Sequence, residues 1–221
     1  MKDLTDSEDE ERSVSALITQ GLDELSVADS REAIVKLTRM VLLISEWATR
    51  VSLTGHRDPL DLAGRLVLDA AALSQSIPEL DEASSLADLG SGIGFPGLPI
   101  AILRPALETR LIESRLKRHH LQREIRRQLA LTRVIPILGR SDEVEIHASD
   151  VVIAQAMAQP HEALELMRSW VRPGGLVALP AADSADRLDL PEGYVDLELR
   201  EYRVPVSSRV RKCWVARRPL G

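Results

Sequence analysis

The stretch Leu86–Ile102, LADLGSGIGFPGLPIAI, decides the fold class of this 221-residue chain. It holds Gly90, Gly92, Gly94 and Gly97 within eight residues, between two apolar segments. Glycine costs conformational entropy, so such a cluster indicates a turn that other residues cannot make, or a ligand that must approach the backbone. A strand followed by a glycine-rich turn and a helix start points backbone N–H groups beyond the strand, which favours ligand binding there.

The composition is that of an ordinary globular protein, with 44% hydrophobic and 28% charged residues and a net charge of -6. The negative charge excludes a generically basic nucleic-acid binder, so any phosphate contact must come from a local patch. Cys213 is the single cysteine, which excludes an intrachain disulfide. With an acidic start and no apolar run of about 20 residues, the sequence predicts a cytoplasmic protein with no membrane contact.

The succession of segments predicts an α/β protein. We expect a disordered acidic tail over residues 1–12, a helical N-terminal part over 13–80, and a domain of alternating strands and helices over 81–221. Such alternation implies a mostly parallel sheet. No helix separates the last two strand segments, so they should form an antiparallel hairpin. A turn is predicted at residues 173–175, PGG, ahead of the fifth strand.

The residues around the glycines indicate a nucleotide-type cofactor. Gly92–Gly97 fits the dinucleotide pattern G-x-G-x-x-G, which is weak evidence alone. The pattern fits better from Asp88, because an acid two residues before G-x-G-x-G is typical of S-adenosylmethionine sites; Asp88 can orient the loop and face the ammonium group. Glu113 ends the next strand, where a carboxylate accepts hydrogen bonds from ribose hydroxyls in both nucleotide classes. The C-terminal hairpin favours a methyltransferase over a dehydrogenase. The alternative is a plain tight turn, with Glu113 a solvated strand end.

The helix after the second strand is strongly basic, and only Glu124 offsets its cations. They form either a phosphate track for structured RNA or a solvated helix face. Further cations near the C-terminus, at residues 209–218, either extend this patch or occupy outward positions of edge strands. The five histidines show no metal-ligand spacing, so no metal is expected. The cations of the helix are Arg115, Lys117, Arg118, Arg123, Arg126, Arg127 and Arg133.

The segment DLGSGIGFPGLPIAILRP, followed by ESRLKR, resembles the bacterial 16S ribosomal RNA guanine-N7 methyltransferases of the glucose-inhibited division protein B type. The continuation GFPGLPIAI is absent from the generic nucleotide loop and makes the match specific. The segments RLVLDA and GRSDEVE and the closing hairpin also resemble the family, in the same order along the chain. The likeness therefore covers about residues 35–218. It implies a class I S-adenosylmethionine-dependent methyltransferase fold, Rossmann-like and seven-stranded, with the helical part in front. It also implies ribosomal RNA or the small ribosomal subunit as partner.

The resemblance implies cofactor contacts at the glycine loop and after the third strand, with Glu113 holding the ribose. The resemblance also implies substrate-binding residues, which are a basic pair on the helix after the second strand and several positions in the N-terminal helical part. Asp58 and Asp69 match the family there as well. The predicted cofactor-binding residues are Asp88, Gly90, Gly92, Gly94, Phe95, Glu113, Ser141 and Asp142. The predicted substrate-binding residues are Arg57, Arg65, Lys117, Arg118 and Gln155.

Four positions depart from the family pattern, all on the substrate side. Ser52, Leu66, Gln155 and Pro180 stand where the family has Asn, His, Arg and Lys. The lost Arg and Lys remove two cations that could meet phosphate or a base edge. Two alternatives therefore stay open: a relative that methylates another RNA or a small molecule, and a non-catalytic module that binds the cofactor or RNA.

The implied reaction requires few side chains. Guanine N7 carries a lone pair and no proton, so methyl transfer needs no general base and depends on positioning and exclusion of water. Phe95 is the sole phenylalanine. Its ring either stacks on the target base or the adenine, or packs beside Pro96.

Overall fold

The structure, a computed structural model, describes residues 4–27, 31–50, 57–155, 159–181 and 188–221. Every element before residue 85 is helical, as the sequence predicts for the N-terminal part. The third and fourth helices are joined by a π-helical turn at Ala63–Val67, and a 3-10 turn follows at Pro78–Asp81. Their bounds are α1 Leu4–Glu24, α2 Arg31–Arg50, α3 Pro59–Leu62 and α4 Leu68–Gln75.

The expectation of a disordered tail over residues 1–12 is wrong for residues 4–12, because α1 already begins at Leu4; residues 1–3 lie outside the described residues. Acidic side chains suit the first turns of a helix because they face the positive end of its dipole. Arg12 lies 3.2 Å from Asp9 one turn earlier, which adds a small local stabilisation. The apolar face further along, with Val14 and Ile18 fully buried, anchors the helix and lets it extend outward.

The second part of the chain forms one seven-stranded sheet in the order β3-β2-β1-β4-β5-β7-β6. The first five strands pair in parallel with one another, and β7 is antiparallel to both β5 and β6. The predicted C-terminal hairpin is therefore confirmed, with β7 inserted between β5 and β6. The bounds are β1 Ser85–Leu89, α5 Gly97–Leu103, β2 Glu108–Glu113, α6 Leu116–Gln128, β3 Val134–Leu138, β4 Ser149–Ala154, α7 Pro160–Trp170, β5 Val171–Ala181, β6 Val195–Arg203 and β7 Val210–Arg217.

The predicted turn at 173–175 lies inside β5, which begins at Val171. The pairing with β4 shifts there, because Ser149 faces Val171 whereas Val151 faces Leu176. Gly174, at φ 75°, provides the left-handed conformation that lets the extra residues bulge out while the strand continues. The glycine pair thus marks a bulge, which sequence alone does not separate from a turn.

The N-terminal helices share an apolar core with one face of the sheet domain. Buried Val14, Leu37 and Met40 belong to the same cluster as Leu98 of α5 and Ile125 of α6. The predicted boundary at residue 80 therefore marks a change from helices to strands and not a break in packing.

Candidate active site

The glycine loop joins β1 to α5 at the carboxyl edge of the sheet. Gly90, Gly92 and Gly94 have φ values of 69°, 59° and 106°, a region that other residues rarely adopt. A Cβ on Gly94 would also overlap the side chain of buried Leu98. The strand order reverses beside β1, which lies between β2 and β4, and ligands of open α/β sheets bind at such a point.

Ser91 and Gln122 hold the glycine loop against the rest of the domain. The Ser91 N–H donates to the Ile112 carbonyl at 3.0 Å, which ties the loop to β2. The Gln122 side-chain amide, on α6, donates to Ser91 Oγ at 2.9 Å and to the Gly92 carbonyl at 2.7 Å. Sequence reasoning missed Gln122; the available signal was an amide on the apolar face that carries Leu121 and Ile125.

Asp88 is fully buried near the end of β1 and fixes the start of α5. Its Oδ2 accepts the Gly97 N–H at 2.8 Å, and a Cβ on Gly97 would lie 2.7 Å from that oxygen. Burial raises the pKa of Asp88 to about 7, the Gly97 N–H opposes this, and the charge of Glu113 adds to it. Among the described residues its Oδ1 has no hydrogen-bond partner. Asp88 therefore orients the loop, as predicted; its predicted contact with a cofactor ammonium stays a prediction.

Glu113 ends β2 beside this loop, and its side chain is almost fully buried. Its Oε1 accepts the Arg115 N–H at 2.7 Å, and its main-chain carbonyl accepts the Gly139 N–H at 3.0 Å. Arg118 Nη1 lies 3.8 Å from Glu113 Oε2. Of the two predicted substrate cations on this helix, Arg118 therefore lies beside Glu113, the predicted ribose-binding carboxylate, whereas Lys117 is exposed.

The loop after β3 presents Ser141 and Asp142. Arg140 donates two hydrogen bonds to Asp142, each 3.1 Å long, and they lower the pKa of that carboxyl. Trp170, which ends α7, donates its Nε1–H to the Ser141 carbonyl at 2.9 Å. These contacts hold the loop over the carboxyl ends of β1 and β2.

An open cleft of about 740 Å³ lies along these elements. That volume falls within the range of small-molecule and cofactor sites. Three carboxylates, Asp142, Glu162 and Glu165, and one cation, Arg140, line it, and this balance suits a cationic ligand. Glu162 and Glu165 of α7 were not predicted as site residues from the sequence. The lining residues are Gly90, Ile112, Ser114, Gly139, Arg140, Ser141, Asp142, Ile146, Glu162, Glu165, Leu166 and Ser169.

A second cavity, of about 20 Å³, lies at the other end of the glycine loop. We call it the acceptor pocket, after the role that we propose for it. Its lining joins Phe95, Gln155 and Leu66, so the structure brings together two of the positions that depart from the family pattern. Asp69 belongs to it and accepts from Arg211 Nη1 at 3.3 Å. Phe95, predicted as a cofactor contact, lines this pocket and not the cleft. The lining residues are Leu66, Asp69, Ala70, Leu73, Phe95, Pro96 and Gln155.

The predicted N-terminal cations lie apart from both cavities. Arg57 is exposed, and exposed Arg65 forms an ion pair with Asp61 one turn earlier in the helix. Asp58 caps α3 by accepting the Asp61 N–H at 2.9 Å. The predicted departure at Ser52 lies outside the described residues.

The basic helix keeps only part of its predicted surface charge. Arg126 donates to the Val134 carbonyl at 2.7 Å, and Arg127 lies 2.6 Å from Glu124. Arg126 and Arg127 are exposed, but these contacts hold their side chains; the other exposed cations on and beside α6 are Arg115, Lys117, Arg123 and Arg133.

Three of the C-terminal cations make structural contacts within the sheet domain. Arg211 binds Asp69, Arg217 lies 2.9 Å from Glu79, and Arg218 donates to the Val171 carbonyl at 2.7 Å. In the described ranges, no three histidine, cysteine or acidic side chains are grouped so that they could hold a metal ion. No helix in the described part of the chain is long and apolar enough to cross a membrane.

The strand order, the reversed last hairpin and the glycine loop after β1 define a class I methyltransferase fold. Among solved structures, cofactor-bound Rv0187 from MTB shares this fold, with a TM-score of 0.59 and 14% sequence identity over 90% of this chain and 95% of that chain. The family model for rRNA small subunit methyltransferase G matches residues 33–207.

Two curated relatives carry the same family name, Ribosomal RNA small subunit methyltransferase G. The protein from Chromohalobacter salexigens is 30% identical over 89% of this chain and 93% of its own length. The protein from Xanthomonas oryzae pv. oryzae is 32% identical over 93% of this chain and 95% of its own length. The chain therefore belongs to the rRNA small subunit methyltransferase G family. The resemblance seen in the sequence is confirmed, and with it the assignment as a methyltransferase that uses S-adenosylmethionine.

Proposed function

We propose that this chain transfers a methyl group to N7 of a guanine in small-subunit ribosomal RNA. The observation that carries the proposal is the glycine loop, which has the acidic cleft at one end and the acceptor pocket at the other. Family membership supplies the reaction type and the substrate class. We assign the cleft to the methyl donor, and the surface around the acceptor pocket, whose own cavity is only about 20 Å³, to the acceptor base.

The cleft residues fit S-adenosylmethionine, which supplies an electrophilic methyl group on a sulfonium. Three carboxylates in the lining suit a cationic donor, and the buried Glu113 carboxylate suits ribose hydroxyls. Asp88, Gly90, Gly92 and Gly94 shape the loop whose backbone the donor meets. Ser141 and Asp142 close the cleft from the loop after β3.

The acceptor pocket suits a base that needs no deprotonation. Guanine N7 already carries a free lone pair, so the protein has only to hold the base and exclude water. Phe95 offers a half-buried ring for stacking, and Gln155 offers amide hydrogen-bonding groups to a base edge. Both side chains lie at the carboxyl edge of the sheet, where Gln155 directly follows β4.

The exposed cations Arg115, Lys117, Arg123 and Arg133 are the surface that we assign to the RNA backbone. Lys117 and Arg118 start α6 next to Glu113, so this surface borders the donor site. A ribosomal substrate also places the protein in the cytoplasm, and we propose that location on this ground.

A second candidate, methylation of another RNA or a small molecule, is favoured by the acceptor pocket itself. Leu66 and Gln155 line it together, and Asp69 is the one charged residue among its lining residues. An acceptor site with no cation of its own suits a less phosphate-rich ligand.

Labelled methyl transfer separates the candidates. Small ribosomal subunits and ribosomal RNA that lack the modification are incubated with labelled S-adenosylmethionine, alongside transfer RNA and a small-molecule extract. We expect label in one guanosine of the ribosomal substrate. Glu113→Ala should raise the KM for the donor at least about tenfold, because charged hydrogen bonds to the ribose are removed.

The matched control is Glu108→Ala, which removes a carboxylate from the opposite end of the same strand. It should leave the KM for the donor within about twofold of the wild-type value. Tight donor binding without label in any ribosomal substrate would sink the ribosomal assignment. Label in another fraction would support the second candidate.

A further inference from the structure

The buried side chain of Gln122 is placed against the cofactor loop but outside the cleft. Its two amide hydrogens are both used, one by Ser91 Oγ at 2.9 Å and one by the Gly92 carbonyl at 2.7 Å. The reverse orientation of the amide would set Oε1 against a carbonyl that cannot donate, so the contacts themselves fix which end is nitrogen.

Burying the Gln122 side chain has a free-energy cost that packing does not explain. Among the described residues its Oε1 is buried without a hydrogen-bond partner. An unsatisfied buried acceptor costs about 1–3 kcal/mol, which an apolar side chain of similar size would avoid. Leu121 and Ile125, on the same side of α6, show that apolar residues pack well there.

The bonds from Gln122 fall on the part of the loop that needs the most support. Gly92 has a φ of 59°, and the N–H groups of Gly94 and Phe95 both donate to the Ser91 carbonyl, at 2.8 and 3.0 Å. Ser91 and Gly92 are thus the base from which the remaining loop is folded. Holding two groups of that base to α6 fixes the loop before a ligand arrives.

We propose that Gln122 is a positioning residue for the S-adenosylmethionine loop: it preorganises Ser91 and Gly92 and so raises affinity for the cofactor at the expense of stability. This inference rests on the proposed cofactor site. It concerns this chain's own contacts and assigns Gln122 no contact with the cofactor. It acts through the loop, and its effect belongs to donor binding and not to the methyl transfer step.

The test is Gln122→Met, which keeps the length and apolar stem of the side chain and removes both donors. Calorimetry with S-adenosylmethionine should show a Kd about tenfold higher, because two hydrogen bonds of modest net value are removed. The melting temperature without ligand should change little, because the orphaned oxygen is gone while Ser91 Oγ and the Gly92 carbonyl each lose a donor. Hydrogen exchange of the Gly94 and Phe95 amides in the ligand-free protein should be faster, and kcat at saturating donor should stay within about twofold.

Gln128→Met is the matched control, since Gln128 is an exposed amide on the same helix that donates to Glu124. Its Kd should equal that of the wild type. If Gln122→Met does not fold, Ser91→Ala removes one of the two acceptors and should raise the Kd about threefold. A Gln122→Met protein with wild-type affinity and a lowered melting temperature would show a purely structural role and overturn the inference. Absence of S-adenosylmethionine binding by the wild type would instead overturn the proposed function, and this inference with it.

Discussion

The two ends of the glycine loop are built differently. At the end that we assign to the donor, the backbone shapes the loop: Gly90, Gly92 and Gly94 have positive φ values, and Asp88 accepts a main-chain N–H. At the acceptor end, side chains from separate elements define the pocket, among them Leu66 and Gln155. A site made of backbone tolerates few residues at each position, whereas a site made of side chains can change its ligand without changing the fold.

The largest expected effect comes from adding one methyl group at the donor end. Gly94→Ala places a Cβ into buried Leu98 at a φ of 106°, so both overlap and backbone strain oppose folding. We expect a loss of about 3 kcal/mol in the free energy of unfolding, or a melting temperature about 6–12 °C lower. Cofactor affinity should fall at least about tenfold. Thermal unfolding and calorimetry measure the two effects.

Gly64→Ala is the control for this change. A Cβ there would meet only Leu17 Cδ2, at 3.8 Å, in ordinary contact. Alanine favours a helix over glycine, so stability should stay equal or rise by about 0.5–1 kcal/mol. Equal losses in both variants would show that the donor loop is no more constrained than an ordinary helix position.

A smaller effect is expected from the buried carboxylate of the donor end. Because the pKa of Asp88 is raised from 3.8 to about 7 in the folded state, the native protein binds this proton more tightly than the unfolded chain. Stability should therefore fall as pH rises from about 4 to about 7 and then level off. Asp88→Asn keeps an acceptor for the Gly97 N–H and does not titrate.

The melting temperatures of wild type and Asp88→Asn, compared at pH 5 and pH 8 without ligand, measure this contribution. At pH 8, where the buried carboxylate is ionised, the melting temperature of the variant should rise relative to that of the wild type. If the melting temperatures of both proteins change equally between pH 5 and pH 8, Asp88 is not held in a strongly desolvated state.

The smallest effect concerns the RNA surface. Replacing Arg115 and Lys117 by alanine should reduce the slope of log affinity for ribosomal RNA against log salt by about one for each phosphate that is no longer neutralised. Arg127→Ala is the control, because Glu124 already pairs with that cation. Filter binding at several salt concentrations gives the slopes. Equal slopes in all proteins would remove α6 from the RNA interface.

The sequence predicted the donor end better than the acceptor end. Positive-φ glycines and an acid at the strand end leave a fixed spacing in the chain, so the loop, Asp88 and the position of Glu113 could be located in advance. The strand order follows from βαβ units with a closing hairpin. The binding roles of these residues stay predictions.

Other features depend on three-dimensional contacts that have no local pattern. Gln122 lies 30 residues or more from its partners. Phe95 lines the acceptor pocket with Leu66 and Gln155, and its predicted cofactor contact stays a prediction. Arg118 and Arg211 look like surface cations in the sequence, but each has a partly or fully buried acidic neighbour, Glu113 and Asp69. Pairing with a buried acid, whether near in sequence as for Arg118 or distant as for Arg211, overrides the usual expectation that a charge run is solvated.

The shared core of the N-terminal helices has a consequence for synthesis on the ribosome. The apolar face that includes Val14, Leu37 and Met40 is made first, but Ile125, against which its cluster closes, follows about 85 residues after Met40. At a synthesis rate of about 5–20 residues per second, Ile125 is added roughly 4–17 seconds after Met40. During this interval the nascent chain exposes an apolar helical surface, which makes its first third the part most prone to aggregation during synthesis.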